Sequence, residues 1–313
     1  MSRVLITGAG GYIGRALSQA MARRLSTGEI THLTLVDLSM QGLPTGAGIR
    51  PLGGDLGDTA VLDAATAPAP DLVFHLAGIT SRAAEEQFEL GLRVNVCHTM
   101  ALFERLRLQQ HSPVVVCASS IGVYGTPLPA AVDDQTPPAP TLSYGAQKRM
   151  MEILLADCSR RGCLDGRTVR LPSVVTRPAL VNGALSSFAS DLIRELAEGR
   201  TYTCPIGPDG QLWLLSLQAC VQHLQQAAAA PANVLPAGRV WNLPALRASA
   251  AEVVAALCRR YGPDLAQQIS YVPQATMQAQ FAQWPPLRTD IAQRLGMAHD
   301  GDLDTLISRA LAP

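Results

Sequence analysis

The sequence predicts a doubly wound α/β fold, a parallel sheet with a smaller, interleaved C-terminal substrate domain. Three observations carry this. Short, near-continuous apolar runs alternate with helical patterns as far as Leu171, as strands buried on both faces of a parallel sheet should. The first run passes at once into a glycine-rich turn and then a helix. Beyond Leu171 the alternation weakens, and Pro172, Pro178, Pro205 and Pro208 interrupt the chain.

In chain order, strands are expected at Val4–Thr7, His32–Asp37, Leu72–Leu76, Val114–Ala118 and Thr168–Leu171, with a further strand just before Gly54. Helices are expected at Gly14–Leu25, Ala83–Gln109 and Tyr144–Arg161. Two loops stand out: Gln41–Gly48 is rich in glycine, and Thr126–Thr141 carries prolines at 127, 129, 137, 138 and 140. That proline content excludes helix and central strand, and the loop precedes a helix, which fits an active-site wall. Helical patterns follow at Ser186–Leu196, Ser216–Ala229 and Ala248–Arg259, and Val240–Leu243 reads as a strand that returns to the main sheet. The expected division is a dinucleotide-binding unit over 1–172, to which 212–246 returns, and a cap formed by 173–211 and 247–313.

The turn after the first strand reads Thr7-Gly8-Ala9-Gly10-Gly11-Tyr12-Ile13-Gly14. Gly8 allows a sharp turn, Gly11 a close backbone approach to a pyrophosphate, and Gly14 tight packing of helix on strand. The helix N-terminus adds N–H donors and a positive dipole. Asp37 ends the second strand; a carboxylate there accepts ribose hydroxyls and repels a 2′-phosphate, so NAD is favoured over NADP. This is the pattern of a Rossmann domain. Gly54-Asp55-Leu56 would bring Asp55 near the adenine, and Leu76-Ala77-Gly78, after His75, would let backbone pass close to the cofactor.

Tyr144 and Lys148 are four residues apart at the start of a helix, on one face. A phenol is a poor base at neutral pH, but a neighbouring ammonium favours the phenolate. A tyrosine so placed can take the proton of a substrate hydroxyl as hydride leaves the same carbon. Ser119 and Ser120, at the end of the fifth strand, are placed to orient that hydroxyl.

Together these motifs resemble the extended short-chain dehydrogenases/reductases, the NAD-dependent epimerase/dehydratase family. The matching residues are the glycine turn, Asp37, Gly54-Asp55-Leu56, His75-Leu76-Ala77-Gly78, Asn95, Ser119-Ser120-Ile121-Gly122-Val123-Tyr124-Gly125 and Tyr144-x-x-x-Lys148. The resemblance implies that Ser120 orients the substrate, Tyr144 is the acid/base and Lys148 holds the ribose and tunes the tyrosine. It implies cofactor contacts from Gly8, Gly11, Tyr12, Ile13, Gly14, Asp37, Asp55, Leu56, Leu76, Ala77, Gly78, Asn95, Tyr144, Lys148, Pro172 and Val174. Tyr124 is expected to pack or to touch the substrate edge. Family members commonly pair their long fourth and fifth helices, so a homodimer is expected, with the apolar stripe Met150, Met151, Leu154, Leu155 as core or interface.

Within the family, nucleotide-sugar enzymes usually carry Arg-Asp-Phe/Tyr-x-x-Val-x-Asp in the C-terminal half. Here the stretch is Gln211-Leu212-Trp213-Leu214-Leu215-Ser216-Leu217-Gln218, and a neutral glutamine cannot make the charge-assisted phosphate contact. The dehydratase branch has Thr-Asp-Glu where this chain has Ser120-Ile121-Gly122. The chain is instead similar to the branch that oxidises the C2 hydroxyl of a four-carbon sugar acid, D-erythronate, with NAD. That likeness rests on Leu90–Asn95, Val132-Asp133-Asp134, Ser143–Lys148, Arg170–Val175, Ser186–Ser190 and Trp241-Asn242-Leu243-Pro244. A sugar acid needs a cation for its carboxylate: Arg177 is the first candidate and Arg82 the second. Ser81, Asn182, Ser186 and Ser187 are candidates for its hydroxyls, with an N-cap as the plain alternative for Ser186. An epimerase that uses NAD transiently and a non-catalytic NAD-binding sensor are the competing functions.

Lys+Arg and Asp+Glu number 25 each, which argues against nucleic acid or an anionic membrane as partner. No apolar run is long enough to span a bilayer, and Val4-Leu5-Ile6 is too short for a signal segment. Seven cysteines with no Cys-x-x-Cys pair fit reduced thiols in the cytoplasm. The six histidines, at 32, 75, 98, 111, 223 and 299, show no metal-ligand spacing, so no metal is expected.

Overall fold

The computed structural model describes residues 2–177 and 187–312. The first half alternates as expected: β1 (Ser2–Thr7), α1 (Tyr12–Ser26), β2 (Ile30–Asp37), β3 (Ile49–Gly53), α2 (Thr59–Thr66) and β4 (Leu72–His75). The one long helix expected over 83–109 is broken. It comprises α3 (Ser81–Glu86), α4 (Phe88–Gly91), a π-helical segment (Leu92–His98) and α5 (Thr99–Leu108). Its periodicity averages over these breaks, because a π segment inserts extra residues without changing which side of the helix is apolar. Next come β5 (Val114–Ser120), a 3₁₀ turn (Ile121–Val123), α6 (Ser143–Arg160), β6 (Asp165–Leu171), β7 (Ser173–Val175), α7 (Phe188–Ala197) and β8 (Tyr202–Cys204). The chain closes with β9 (Gln211–Ser216), α8 (Leu217–Ala229), β10 (Val240–Asn242), β11 (Leu246–Ser249), α9 (Ala250–Tyr261), β12 (Ile269–Tyr271), α10 (Ala275–Phe281), α11 (Asp290–Arg294) and α12 (Leu303–Ala310).

The main sheet has seven strands, all parallel, in the order β10-β6-β5-β4-β1-β2-β3. The strand order reverses between β1 and β4, so their C-terminal ends open the crevice where α/β folds bind ligands. The two faces of the sheet are covered separately. Ile6, Leu17, Leu33, Phe74 and Trp241 lie in one cluster with α1 and α8; Leu5, Val73, Val115, Leu102, Phe103 and Leu155 lie in the other with α5 and α6.

The segment 212–246 divides. β9 lies between β7 and β11 in a separate three-stranded sheet, α8 packs beside α1, and β10 extends the main sheet at its β6 edge. A third core joins α7, α9 and α12 through Leu192, Ile193, Val253, Leu257 and Leu306. Two caps set helix starts here: Ser216 accepts from the Ala219 N–H, and Ser249 with Glu252 forms a capping box. β9 was not among the expected strands, although its run Leu212–Leu215 is apolar throughout like those of the main sheet; it lies beyond the proline-interrupted segment and joins the separate sheet. Among the described residues, no helix is long and apolar enough to cross a membrane.

A buried polar network ties the second half of the sheet together. Arg170 on β6 makes a two-point contact with Glu152 on α6 at 2.9 Å from Nε and 2.9 Å from Nη2. Ser119 Oγ, on β5, donates to Glu152 at 2.6 Å, and Arg149 adds a bond at 2.9 Å. Arg170 also donates to the Tyr124 hydroxyl at 2.7 Å, which donates to Asn242 on β10 at 3.0 Å; Asp134 in turn accepts from the Asn242 backbone at 2.8 Å. Burial alone would raise the Glu152 carboxyl, but Arg170 and Ser119 outweigh it and hold the group below its usual range. Removing Arg170 takes the two-point partner from a fully buried carboxylate and leaves it only the half-exposed Arg149 and the Ser119 hydroxyl. Arg170→Met is therefore expected to cost about 3–5 kcal/mol. Chemical denaturation measures this, and the double variant Arg170→Met/Glu152→Leu should recover much of the loss.

Candidate active site

The glycine turn is held by contact on both sides. Gly8 has φ +74°, and a Cβ on it would lie 2.5 Å from the Ala77 nitrogen at the end of β4. A Cβ on Gly14 would sit 2.0 Å from the Gly8 carbonyl oxygen, so only glycine lets α1 begin this close to the turn. Asp37, at the end of β2, accepts from the Gly10 N–H at 2.9 Å and from the Ser39 N–H at 3.2 Å. A groove of about 310 Å³ runs along these strand ends, lined by Gly8, Gly11, Asp37, Asp55, Leu56, Leu76, Ala77, Gly78 and His98 among others. This is a cradle of backbone and small residues with a carboxylate at one end, and it suits the pyrophosphate and ribose of a dinucleotide. His98 Nδ1 lies 3.1 Å from Asp55.

Asn95, on the π-helical segment, is buried and works as a clamp. Its Oδ1 accepts from the Ile79 N–H at 2.9 Å, and its Nδ2 donates to the Ile79 carbonyl at 3.2 Å and to Gln147 at 2.8 Å. It thus joins the chain leaving β4 to α6, between Tyr144 and Lys148. A bonded row continues behind it. Thr99 donates to the Asn95 carbonyl, and its hydroxyl also lies 2.8 Å from His75 Nε2, while Thr7 lies 2.7 Å from His75 Nδ1. With Thr99 already a donor to Asn95, the row assigns the proton of neutral His75 to Nε2. Burial first, and Lys148 second, push His75 down to about 3.

Tyr144, Ser120, Tyr124, Ser119 and Ser81 line a cavity of about 100 Å³ above the C-terminal ends of β5 and β6. Lys148 lies below it, its Nζ 5.7 Å from the centre of the Tyr144 ring, and is largely buried. Gly145 brings α6 this close to the 3₁₀ turn, since a Cβ there would meet the Gly122 carbonyl oxygen at 2.0 Å. The two adjacent serines point in different directions, as neighbours on a strand must. Ser120 Oγ accepts from the Gly122 N–H at 3.0 Å, which leaves its own proton free to donate. Ser119 is spent on Glu152, so it backs the site without reaching Tyr144.

Other expected residues fall as follows. Pro172 and Arg177 line the cavity with Ser173. Arg82 is exposed and outside the cavity lining, which removes it as a carboxylate partner there. Val174 is buried in the core beside Leu215, the Tyr12 side chain lies beside α8, Ile13 packs against the same core cluster, and neither Tyr12 nor Ile13 lines the groove. Ser187 stands at the start of α7 with its hydroxyl 3.4 Å from Asp191, and it does not line the cavity. Asn182 and Ser186 lie outside the described residues. In the apolar stripe of α6, Met151 and Leu155 are buried, while Met150 and the unforeseen Ile153 are exposed.

With the geometry in hand, comparison with known proteins is decisive. The family model for NAD-dependent epimerases/dehydratases matches residues 4–213. The chain belongs to that family. Its cofactor is NAD, which the Gly8–Gly14 cradle and Asp37 fit. The chain is 40% identical over 97% of its length to a D-erythronate dehydrogenase of Cupriavidus necator, covering 96% of that protein. It is 30% identical to a D-erythronate dehydrogenase of Haemophilus influenzae, covering 96% and 95% of the two chains. A solved nucleoside-diphosphate-sugar epimerase from Agrobacterium tumefaciens superposes with a TM-score of 0.91 at 31% identity, over 98% and 92% of the chains.

Several lining residues carried no signal in the sequence. Gln280, Phe281 and Trp284 reach the cavity from α10 and the loop after it, far from any motif, whereas Thr126 and Thr141 belong to the proline-rich loop expected as a wall and Phe188 to the Ser186–Ser190 stretch. Trp213 was visible only as part of a departing motif; it stacks on Trp284 at 4.6 Å and fixes that wall. Among the described residues, no cluster of metal-binding side chains forms.

The buried histidines set a pH dependence. His75 is held at about 3 and His223, chiefly by burial, at about 4, so both stay neutral when folded while unfolded histidines protonate near 6.5. The unfolded chain binds more protons in that window, and stability therefore falls as pH drops from 6.5 toward 4. The expected slope is up to about 1.4 kcal/mol per pH unit for each histidine. Urea midpoints at pH 7, 6 and 5 report it; a flat series contradicts the two buried neutral rings.

Proposed function

We propose that this protein oxidises the C2 hydroxyl of a small sugar acid with NAD, converting D-erythronate to 2-dehydro-D-erythronate. The observation that carries this is the cavity, which puts Ser120 and Tyr144 on one wall and Arg177 on another. Among the described residues no carboxylate pairs with the Arg177 side chain; it lines both this cavity and the pocket beside α1 and α8, where its charge acts on Tyr12 and Cys220, and we assign it the substrate carboxylate. The identity to D-erythronate dehydrogenases over nearly the whole chain supports the same substrate.

Bound NAD supplies the hydride acceptor. Gly8, Gly11, Gly14, Asp37, Asp55, Leu76, Ala77 and Gly78 hold it, and Lys148 fixes its ribose. Ser120 orients the substrate hydroxyl. Tyr144 takes that hydroxyl's proton, and Lys148 stabilises the phenolate that does so. Arg177, with Ser81 nearby, sets which end of the acid faces Tyr144. The unit of residues 1–172, which β10 extends, carries the cofactor, and the substrate lies between it and the part of the chain that holds β7, β9, β11, α7 and α10.

An epimerase is the second reading, favoured by the A. tumefaciens structure. Against it, Gln211, which stands where nucleotide-sugar enzymes carry their phosphate-binding arginine, is neutral, bonds to the Asp209 carbonyl and lies outside the cavity lining. We also read the protein as a homodimer. Phe88, Leu92, Met100, Met150 and Ile153 on the α4 to α6 face are exposed, and pairing would cover them. Seven free thiols and a neutral charge balance fit a cytoplasmic enzyme without nucleic-acid or membrane partners.

A panel of three- to six-carbon aldonates with NAD and NADP, followed by NADH absorbance, tests the reading. D-Erythronate with NAD should be fastest; isomerisation of a sugar nucleotide without net NADH would overturn it. Tyr144→Phe should lower kcat by about 10²–10⁴ with NAD binding retained. Arg177→Ala should raise KM for the acid far more than for a neutral polyol, and equal effects would exclude its carboxylate role.

A further inference from the structure

At the adenosine end of the cofactor groove stands a histidine with no part in hydride or proton transfer. The glycine turn suits the pyrophosphate and Asp37 the ribose, so the base belongs beyond Asp37. The fold brings one segment there. Gly53 pairs with Asp37 across β2 and β3, the Gly54 N–H donates to the Asp37 carbonyl at 3.0 Å, and Asp55 follows. Asp55, Leu56, Leu38 and His98 all line the groove. His98 sits on the π-helical segment, three residues after the Asn95 clamp, and only 12% of its side chain is exposed. Its ring rests directly on the Gly57 backbone, since a Cβ on Gly57 would lie 2.2 Å from His98 Nε2.

The other ring nitrogen, Nδ1, lies 3.1 Å from Asp55 Oδ1. The Gly57 N–H donates to that same oxygen at 2.9 Å. Both contacts fall on Oδ1, and among the described residues nothing is bonded to Oδ2. The Asp55 side chain is 55% exposed, so these contacts are what keep its carboxylate from turning. A carboxylate beside Nδ1 assigns the ring proton to that nitrogen, and an imidazolium carries one there as well. We propose that His98 is a cofactor-positioning residue: it holds Asp55 Oδ1, so that Oδ2 accepts from the exocyclic amino group of adenine. That amino group is a donor, and a base with oxygen in its place would set an acceptor against the carboxylate. His98 thereby makes the groove selective for adenine dinucleotides. This rests on the reading above that Asp55 holds the cofactor.

Titration calorimetry on the full chain, without substrate, tests this with NAD and with nicotinamide hypoxanthine dinucleotide, in which oxygen replaces the adenine amino group. His98→Leu removes both ring nitrogens, whereas His98→Asn returns an amide donor near the position of Nδ1. Wild type should bind NAD about tenfold more tightly than the hypoxanthine dinucleotide, the worth of one hydrogen bond to a charged group. His98→Leu should weaken NAD about fivefold and the hypoxanthine dinucleotide less than about twofold, so that selectivity nearly vanishes. His98→Asn should keep the ratio within about twofold of wild type. A role in packing alone would weaken both dinucleotides alike. Equal weakening of both, an unchanged ratio in His98→Leu, or an asparagine variant as unselective as the leucine one overturns the role of His98. Asp55→Ala tells the two failures apart. If it abolishes selectivity while His98→Leu does not, His98 alone is misassigned. If it leaves selectivity intact, or wild type binds both dinucleotides equally, Asp55 does not face the base, and that reading falls together with the proposal.

Discussion

The second half of the molecule depends on the two-point contact between Arg170 and Glu152. It is made between α6 and β6, one strand in from the sheet edge, where neither charge can reach water, and it bonds Ser119 and Tyr124 as well. Ser119 is turned inward, Tyr124 is locked against Asn242, and α6 is drawn onto β5 and β6. Because α6 carries Tyr144 and Lys148, the position of the proposed acid/base is set by a charge pair one helical turn beyond Lys148. Such a pair adds little net stability over an apolar core, but it permits one arrangement only. Precise placement is what an acid/base requires.

The cofactor half was legible in the sequence because its requirements are local. A turn that must approach backbone at 2.0–2.5 Å admits glycine alone, and that shows as a spaced motif at Gly8 and Gly14. Asp37 and Asp55 were readable because strand ends place them. Tyr144 and Lys148 share a helix face, which spacing reveals directly.

The substrate half was less legible, for the opposite reason. Its walls come from residues that meet only through tertiary packing: Ser173 after the last central strand, Phe188 at a helix start, Gln280 and Trp284 near the C-terminus. None has a spacing to the others that a motif could capture. Spacing alone did not separate Ser119 from Ser120, and only the family resemblance pointed to Ser120; in the fold Ser119 turns to Glu152, which Arg170 holds in place. Arg82 stood as the second candidate cation after Arg177 for the same reason; the fold turns it outward.

The π-helical segment from Leu92 to His98 has an implication for how this chain can change length. Each residue of a helix advances the side chains by about 100°, so a π turn stores one more residue per turn than an α turn would hold. Removing a single residue there would let the segment relax to an ordinary helix, with no break in the backbone and little loss of apolar burial. It would also rotate Asn95 away from Ile79 and Gln147, uncoupling the end of β4 from the helix that carries Tyr144. The number of residues within 92–98 is thus part of the clamp itself: with one fewer the helix would be regular, but the end of β4 would no longer be tied to α6.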